Sequence, residues 1–564
     1  MTGEPATTPR RDAQSDAQSD ARIVARIDAP SDRLIDAVLA LVALLGLVLH
    51  LPAVTGEFDR GFDGFQGAFF AGAAVNYEAL GTSATHGYPL AQIEPGDDPK
   101  DWNVYTNHPR FVPHLALASL RLFGPAGWDA RPGAVPSGTE AALRAPFFAL
   151  QVAGWLLLAA ALWRVRGRRA GLVALALAAH LPIGVALSGL VNYEHPSVAF
   201  VCVGALFAVL SHGPPERAPE HARRWAVATG VACGLGAFVT YAPVLFVLPL
   251  AWACARGVRR RAALAGVVTV ALTLVPHVLA SSAVRATVGA RSPSIGERLH
   301  TLLAPMWNGE LPPGRWLAAQ VEAVGWSFTL AVGIVALVGL ALAVHRLVTH
   351  DRDDAFARAA VALAVGALGV QVLYWRHTGD PQVSFLLNAA PAAVASATFA
   401  LVVLAGRDAA RRGLAVLAAL ALVGLSSAAA ADHLRALRAP GPRDQAGADG
   451  PSAPLPRTAA ADIAALVPEG AVVWYPASLG FTPAVSYYAW VTCLPFVPGR
   501  YEATLAKQAE LGLAGRDAWL CVPLEPASPS IAADVAALEA DLEAFTGAPP
   551  SWNAGRIYRV TPAP

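Results

Sequence analysis

Charge is scarce in this chain. Of its 564 residues 15% are charged and 55% hydrophobic, and a soluble chain of this length needs more charge to cover its surface. Lysine is almost missing, with only Lys100 and Lys507, so the basic residues are nearly all Arg; composition alone gives that bias no functional meaning. A formal net charge of +1 argues against a nucleic-acid surface. The five cysteines contain no CxxC spacing, which removes the usual metal-ligand pattern. Cys202, Cys233 and Cys254 fall in apolar runs and read as packing. No GxGxxG or Walker loop stands in a suitable context, so nothing points to ATP or nicotinamide. The energy for any reaction then comes from an activated substrate delivered within the membrane.

Apolar runs near twenty residues are what the chain has in abundance, and they predict a polytopic α-helical membrane protein. The first run, 34–54, is too long and too far in for a cleaved signal and reads as a retained span. Ten more follow at 142–163, 170–189, 195–211, 225–240, 242–254, 262–282, 324–345, 355–374, 384–405 and 412–430, about eleven in all. Residues 1–33 are polar and read as a disordered tail. Arg22, Arg26 and Arg33 precede the first span and place the N-terminus in the cytoplasm. Five further Arg clusters, at 164–169, 217–224, 256–261, 346–352 and 407–412, all fall inside only if 225–254 is a hairpin of two short helices broken near Pro243. The C-terminus then lies outside.

Two large external loops are predicted. The first, 55–141, holds two stretches, Gln66 to Leu80 and His108 to Phe123, that read as interfacial helices. The second, 283–323, carries Pro305, Trp307, Pro312, Pro313 and Trp316 and reads as a collar at headgroup level. After a linker at 431–458, rich in Pro, Gly and Ala from about 439, residues 459–564 read as a small external α/β domain. Its strands are expected at Ala471–Tyr475 and Ala518–Val522 and its helix at Ile531–Phe545. Cys493 and Cys521 both face an oxidising compartment there, where a disulfide and two free thiols are both open.

The residues able to do chemistry lie on the external side. Asp59 and Asp63 follow the first span. A carboxylate at the bilayer surface can take a proton from an acceptor hydroxyl, and apolar surroundings raise its pKa toward a useful range; a solvated loop acid is the bland alternative. Glu194 sits in the tight turn Asn192-Tyr193-Glu194-His195-Pro196 on the same side, where ionisable groups are rarely idle. Tyr105-Thr106-Asn107-His108-Pro109-Arg110 opens the second loop helix, and His108 and Arg110 are placed to meet a phosphate, although Pro109 also suits an ordinary helix start. Arg144 opens the second span, where snorkelling alone accounts for it. Tyr374-Trp375-Arg376-His377 puts a basic residue on the side that inside-positive statistics disfavour, with Asp380 and Gln382 after it.

These pieces together resemble the GT-C superfamily of membrane glycosyltransferases, and in particular the family 39-like bacterial branch related to protein O-mannosyltransferases and the aminoarabinose transferase of lipid A. The resemblance rests on Asp63-Gly64-Phe65-Gln66-Gly67-Ala68, Ala74-Val75-Asn76-Tyr77 with Gly81, Tyr105 to Pro109, Leu122-Phe123-Gly124, Arg144, and the second acidic element at Glu194. It covers roughly 34–430; the external tail is less diagnostic. It departs from the family where His-His-Pro or His-Pro-Pro is usual and this chain has Asn107-His108-Pro109-Arg110, and where a paired Asp-Glu is missing from the first loop.

The resemblance implies Asp63 as the base that activates the acceptor and Glu194 as its acidic companion. Asp59, Tyr105, His108, Arg110, Arg144, His195, Arg376 and His377 become substrate-binding candidates, with His108 and Arg144 near the donor phosphate. It implies a polyprenyl-phosphate sugar as donor, inversion at the anomeric carbon, and an acceptor glycan, lipid or protein outside the cytoplasmic (inner) membrane of a bacterium. Some relatives use a divalent cation and others do not; Asp63 and Glu194 are the candidates to hold one. A transporter or flippase of a lipid-linked substrate is the alternative, but it would carry more polar groups within its spans and internal repeats. An inactive structural subunit would not need two external acidic sites.

Overall fold

The computed structural model describes residues 30–58, 62–93, 95, 98–129, 135–213, 219–288, 295–379, 383–406, 408–438, 460, 463–468, 470–476, 483–496, 501–523, 551–552 and 555–560. The chain enters through α1 (Pro30–Val48) and its short continuation α2 (Leu51–Thr55). The first loop holds α3 (Phe62–Leu80) and α4 (Phe111–Phe123). A run of helices follows: α5 (Thr139–Arg166), α6 (Arg168–His180), α7 (Pro182–Ala186), α8 (Glu194–Leu210), α9 (Pro219–Gly236), α10 (Val244–Ala253) and α11 (Arg259–Val288). The second loop carries α12 (Ile295–Trp307) and α13 (Pro313–Phe328). The bundle closes with α14 (Leu330–Thr349), α15 (Ala355–Leu373), the short α16 (Trp375–Gly379), α17 (Ala390–Ala405) and α18 (Ala409–Arg438).

Among the described residues seven helical stretches are long and apolar enough to cross a bilayer: Arg33–Thr55, Thr139–Arg166, Arg256–Val288, Leu330–Thr349, Ala355–Leu373, Ser384–Ala405 and Ala410–Arg435. Seven of the eleven predicted spans correspond to these stretches, and the other four are shorter helices. Span 170–189 breaks at Leu181, because Pro182 pushes the residue before it out of helical geometry. Segment 195–211 is the 17-residue α8. Segment 225–254 divides into α9 and α10 around residues 237–243, where the sequence places its hairpin. Span 324–345 is displaced: Thr329, at φ 65°, separates α13 from α14 and caps α14 by accepting the Val332 amide at 3.3 Å. The collar is likewise narrower than 283–323, since α11 continues to Val288.

Small residues let these helices approach closely, as is usual where no hydrophobic force drives association. A side chain at Gly339 would collide with the Ser396 carbonyl on α17, and one at Gly230 of α9 with the Ala262 carbonyl on α11. The arginine clusters gather at one end. Arg166 and Arg346 both pair with Asp354, which caps α15 by accepting the Phe356 and Ala357 amides at 3.0 and 3.1 Å. Arg256 and Arg358 pair with Asp353, and Arg168 and Arg169 with Asp36 of α1. His212 bonds the Ala253 carbonyl and Ser211 accepts the Ala255 amide, which joins the loops after α8 and α10 at the same end.

Among the described residues the C-terminal part forms a five-stranded mixed sheet in the order β2-β1-β3-β5-β4, made by β1 (Val472–Pro476), β2 (Thr492–Phe496), β3 (Ala518–Pro523), β4 (Ser551–Trp552) and β5 (Gly555–Val560). β1 runs parallel to both β2 and β3, and such pairs need crossovers; helices α19 (Pro483–Ala489) and α20 (Tyr501–Glu510) supply them. Cys493 on β2 and Cys521 on β3 are free, and the disulfide left open by the sequence does not form. β1 lies between their strands, so their backbones are about 9–10 Å apart or more, beyond the ~7 Å a disulfide spans. The predicted helix Ile531–Phe545, the tail 1–29 and the linker 439–458 lie outside the described residues.

The sheet domain docks on the first loop. Tyr488 of α19 donates to Glu140 Oε1 at 2.7 Å and accepts the Phe58 amide at 2.9 Å. The Phe58 ring meets Tyr487 and Tyr488, and Gly67 of α3 leaves it room. α3 is therefore covered: Ala68, Phe70, Ala71 and Ala74 are fully buried in one apolar cluster with Val472 and Trp474 of β1. It is a core helix, which corrects the interfacial reading of Gln66 to Leu80.

Candidate active site

The candidate site lies at the end of the bundle away from the Arg–Asp pairs. The chain between α3 and α4 folds back as an antiparallel excursion, with Leu90 bridged to Val104 and the Tyr105 amide bonded to the Pro89 carbonyl at 2.9 Å. Asn76 Nδ2 holds the Gln92 carbonyl and Tyr77 Oη the Gly87 carbonyl, which fixes the excursion to α3. Tyr88 ties it to the bundle through His277, whose other ring nitrogen bonds Tyr241 Oη at 2.9 Å. This frame delivers Tyr105 and His108 inward.

His108 is buried and stacks on Tyr193 with ring centroids 4.2 Å apart; Thr240 Oγ1 lies 3.4 Å from its Nδ1. Burial holds its pKa well below the usual range, and the nearby Arg298, His277 and His377 push the same way. It is therefore a neutral imidazole, suited to hydrogen bonding. Tyr105 is raised above its ordinary pKa by burial, partly offset by Arg298, and stays a phenol.

Tyr193 leads directly into Glu194 at the first position of α8. Glu194 is buried, Ser384 lies beside its carboxylate, and Oε2 has no hydrogen-bond partner among the described residues. A buried carboxylate with an unpartnered oxygen is costly, which singles Glu194 out as a candidate to meet a ligand or a water. Arg298 on α12 completes the cluster; its charge reaches Tyr105, His108, Tyr193, Tyr241 and Tyr374. His377 also lies within electrostatic reach of His108, and its ring stacks on Phe385.

The other predicted residues have other surroundings. Arg144 is buried; it donates to the Gly56 and Glu57 carbonyls and lies over the Phe58 ring, bracing the segment before α3. Arg110 donates to the His86 carbonyl at 2.7 Å and covers Tyr88, bracing the excursion. His195 Nε2 bonds the Leu187 carbonyl at 2.7 Å, closing the turn before α8. Arg376 is exposed on α16, where the neighbouring Trp375 stacks on Trp316 of the collar at 4.3 Å. Asp63 is the second residue of α3; its side chain, like Asp59 as a whole, lies outside the described residues. Among the described residues no three His, Cys, Asp or Glu side chains gather closely enough to hold a metal ion.

Arg298 escapes the sequence reading, as do Tyr193, Tyr241 and Tyr374 as lining groups. The signal was available: Arg298 is a basic residue in a loop that the sequence reading places outside, the same anomaly that singles out Arg376.

The helical bundle, with its buried acidic and aromatic site, is similar in fold to solved membrane glycosyltransferases. Residues 107–280 match the family model for dolichyl-phosphate-mannose-protein mannosyltransferase. The oligosaccharyltransferase of Archaeoglobus fulgidus in the apo form superposes with a TM-score of 0.55 at 14% identity, over 87% of this chain and 69% of that one. ArnT from Cupriavidus metallidurans, solved with bound undecaprenyl phosphate, superposes with a TM-score of 0.53 at 14% identity, over 93% of this chain and 97% of that one. The A. fulgidus AglB complex with an inhibitory peptide and a dolichol-phosphate superposes at 0.53 with 11% identity, over 86% and 69% of the two chains. A comparison with curated protein sequences finds no match.

Proposed function

We propose that this protein transfers a sugar from a polyprenyl-phosphate donor to an acceptor on the outer face of a bacterial cytoplasmic membrane, with inversion at the anomeric carbon. The observation that carries the reading is the buried Glu194 carboxylate, with one oxygen unpartnered among the described residues, next to His108, Tyr105 and Arg298 at the external end of a GT-C fold.

In this mechanism Asp63 takes the proton from the acceptor hydroxyl as that oxygen attacks the anomeric carbon, and the bond to the donor phosphate breaks on the opposite face. A base in that role is worth about 10²–10⁴-fold in rate. Arg298 meets the departing phosphate, and a guanidinium suits the charge that develops there. His108, neutral, and Tyr105, protonated, supply hydrogen bonds without competing for the acceptor proton. Glu194 orients the acceptor; with Asp63 it is also where a divalent cation would be held. Arg144 and His195 act as positioning residues, the first on the segment leading to Asp63 and the second on the turn leading to Glu194.

The test is release of polyprenyl phosphate from a polyprenyl-phosphate sugar by the full chain in bilayers supplied with acceptor extract. Asp63→Asn should abolish release and Glu194→Gln should impair it severely, both with normal membrane insertion. Movement of intact donor across the bilayer with no release would favour the transporter reading.

A further inference from the structure

A groove of about 470 Å³ lies far from the candidate site, at the arginine-rich end of the bundle. It forms between α9 and α11, which are drawn together where Gly230 meets Ala262 and Gly234 meets Gly266. Arg223, Arg224 and Arg261 line it together with Glu220, while Val227 and Val231 form an apolar wall. Glu220 is paired with Arg224 at 2.7 Å. The groove's own surface is almost wholly apolar, and among the described residues Arg223 and Arg261, which border it, have no ion-pair partner.

We propose that this groove binds an anionic phospholipid of the adjacent leaflet. Three guanidiniums against one carboxylate fit a phosphodiester headgroup, and the valine wall next to them fits the first methylenes of an acyl chain. A free phosphate shares the headgroup chemistry but leaves the apolar wall exposed, so the lipid is the better occupant. Exposed arginines at the inner end of a membrane helix satisfy inside-positive statistics without a ligand. Here they are gathered from two helices beside one shallow apolar groove.

The full chain, purified and exchanged into nanodiscs with equal phosphatidylglycerol and phosphatidylcholine, tests this by native mass spectrometry of the lipids it retains. Phosphatidylglycerol should be retained preferentially. The double substitution Arg223→Ala/Arg261→Ala should reduce that preference roughly thirtyfold, from the usual contribution of two basic residues near a lipid surface. Glu220→Gln, which removes the repelling carboxylate, should strengthen it. Both sites are exposed, so folding is preserved, and a thermal melt checks this. Equal retention of the two lipids, or an unchanged preference in the double variant, overturns the proposal. So does displacement of phosphatidylglycerol by millimolar inorganic phosphate, which would make this a free-anion site.

Discussion

Replacing Tyr488 with Phe removes one oxygen and should loosen the segment that leads to Asp63. That hydroxyl donates to Glu140 Oε1 at 2.7 Å and accepts the Phe58 amide at 2.9 Å, and it is the polar clasp between the sheet domain and the first loop. Glu140 and Phe58 are both buried, so neither regains water in the variant. A hydrogen bond to a charged group contributes about 1.5–3 kcal/mol, and a buried amide left unpaired costs about 1–3 kcal/mol. The two share one oxygen and are not additive, which makes the loss about 2–4 kcal/mol. In hydrogen exchange this raises local opening of residues 56–70 between about thirtyfold and several hundredfold. Glu140→Gln, which keeps an acceptor, should be milder. Lys507→Ala, at an exposed ion pair in the same domain, should leave the segment unchanged. Unaltered exchange of residues 56–70 in Tyr488→Phe would refute the clasp and with it the claim that the sheet domain steadies the site.

Arg298→Ala should lower kcat/KM for the lipid-linked donor by about 10–100-fold, with kcat reduced, the loss of a charged hydrogen-bonded contact to the departing phosphate, as read in a donor titration. His108 has a depressed native pKa, so the unfolded chain binds more protons than the native one below about pH 6.5. Its contribution is therefore full above that pH and is lost as pH falls, and His108→Asn should narrow the difference between melts at about pH 5 and pH 7.5. Asp354→Ala removes a helix cap and two ion pairs to the half-exposed Arg166 and Arg346, costing about 1–3 kcal/mol in a denaturation series. Cys493 and Cys521 should both react with a thiol reagent after unfolding without reductant, with no mobility shift on reduction.

The long spans are legible in the sequence because a bilayer demands uninterrupted apolar length, and seven of the predicted segments meet that demand. β1 and β3 are legible because β-branched and aromatic residues cluster there. Breaks are harder. Pro182 marks one, but Thr329 adopts a positive φ that a β-branched residue disfavours, and nothing in its type announces this. Tyr105, His108 and Glu194 stand out as polar residues at span ends and do converge. What could not be read was partnership over distance. Tyr488 meets a carboxylate 348 positions away, and Arg298 reaches the site from a loop whose placement depends on the whole bundle. Arg144 and Arg110 were legible as important arginines, but their donors face backbone carbonyls, which a sequence does not display.

The central claim is sugar transfer with Asp63 as base. Its most direct test is single-turnover release of polyprenyl phosphate by the full chain in bilayers supplied with a polyprenyl-phosphate sugar and acceptor extract, comparing wild type, Asp59→Asn and Asp63→Asn. The account predicts release by the wild type, a mild deficit in Asp59→Asn, and a loss of at least about a hundredfold in Asp63→Asn with donor binding retained. Near-normal release by Asp63→Asn would contradict it, and a reversed ranking would move the base to Asp59.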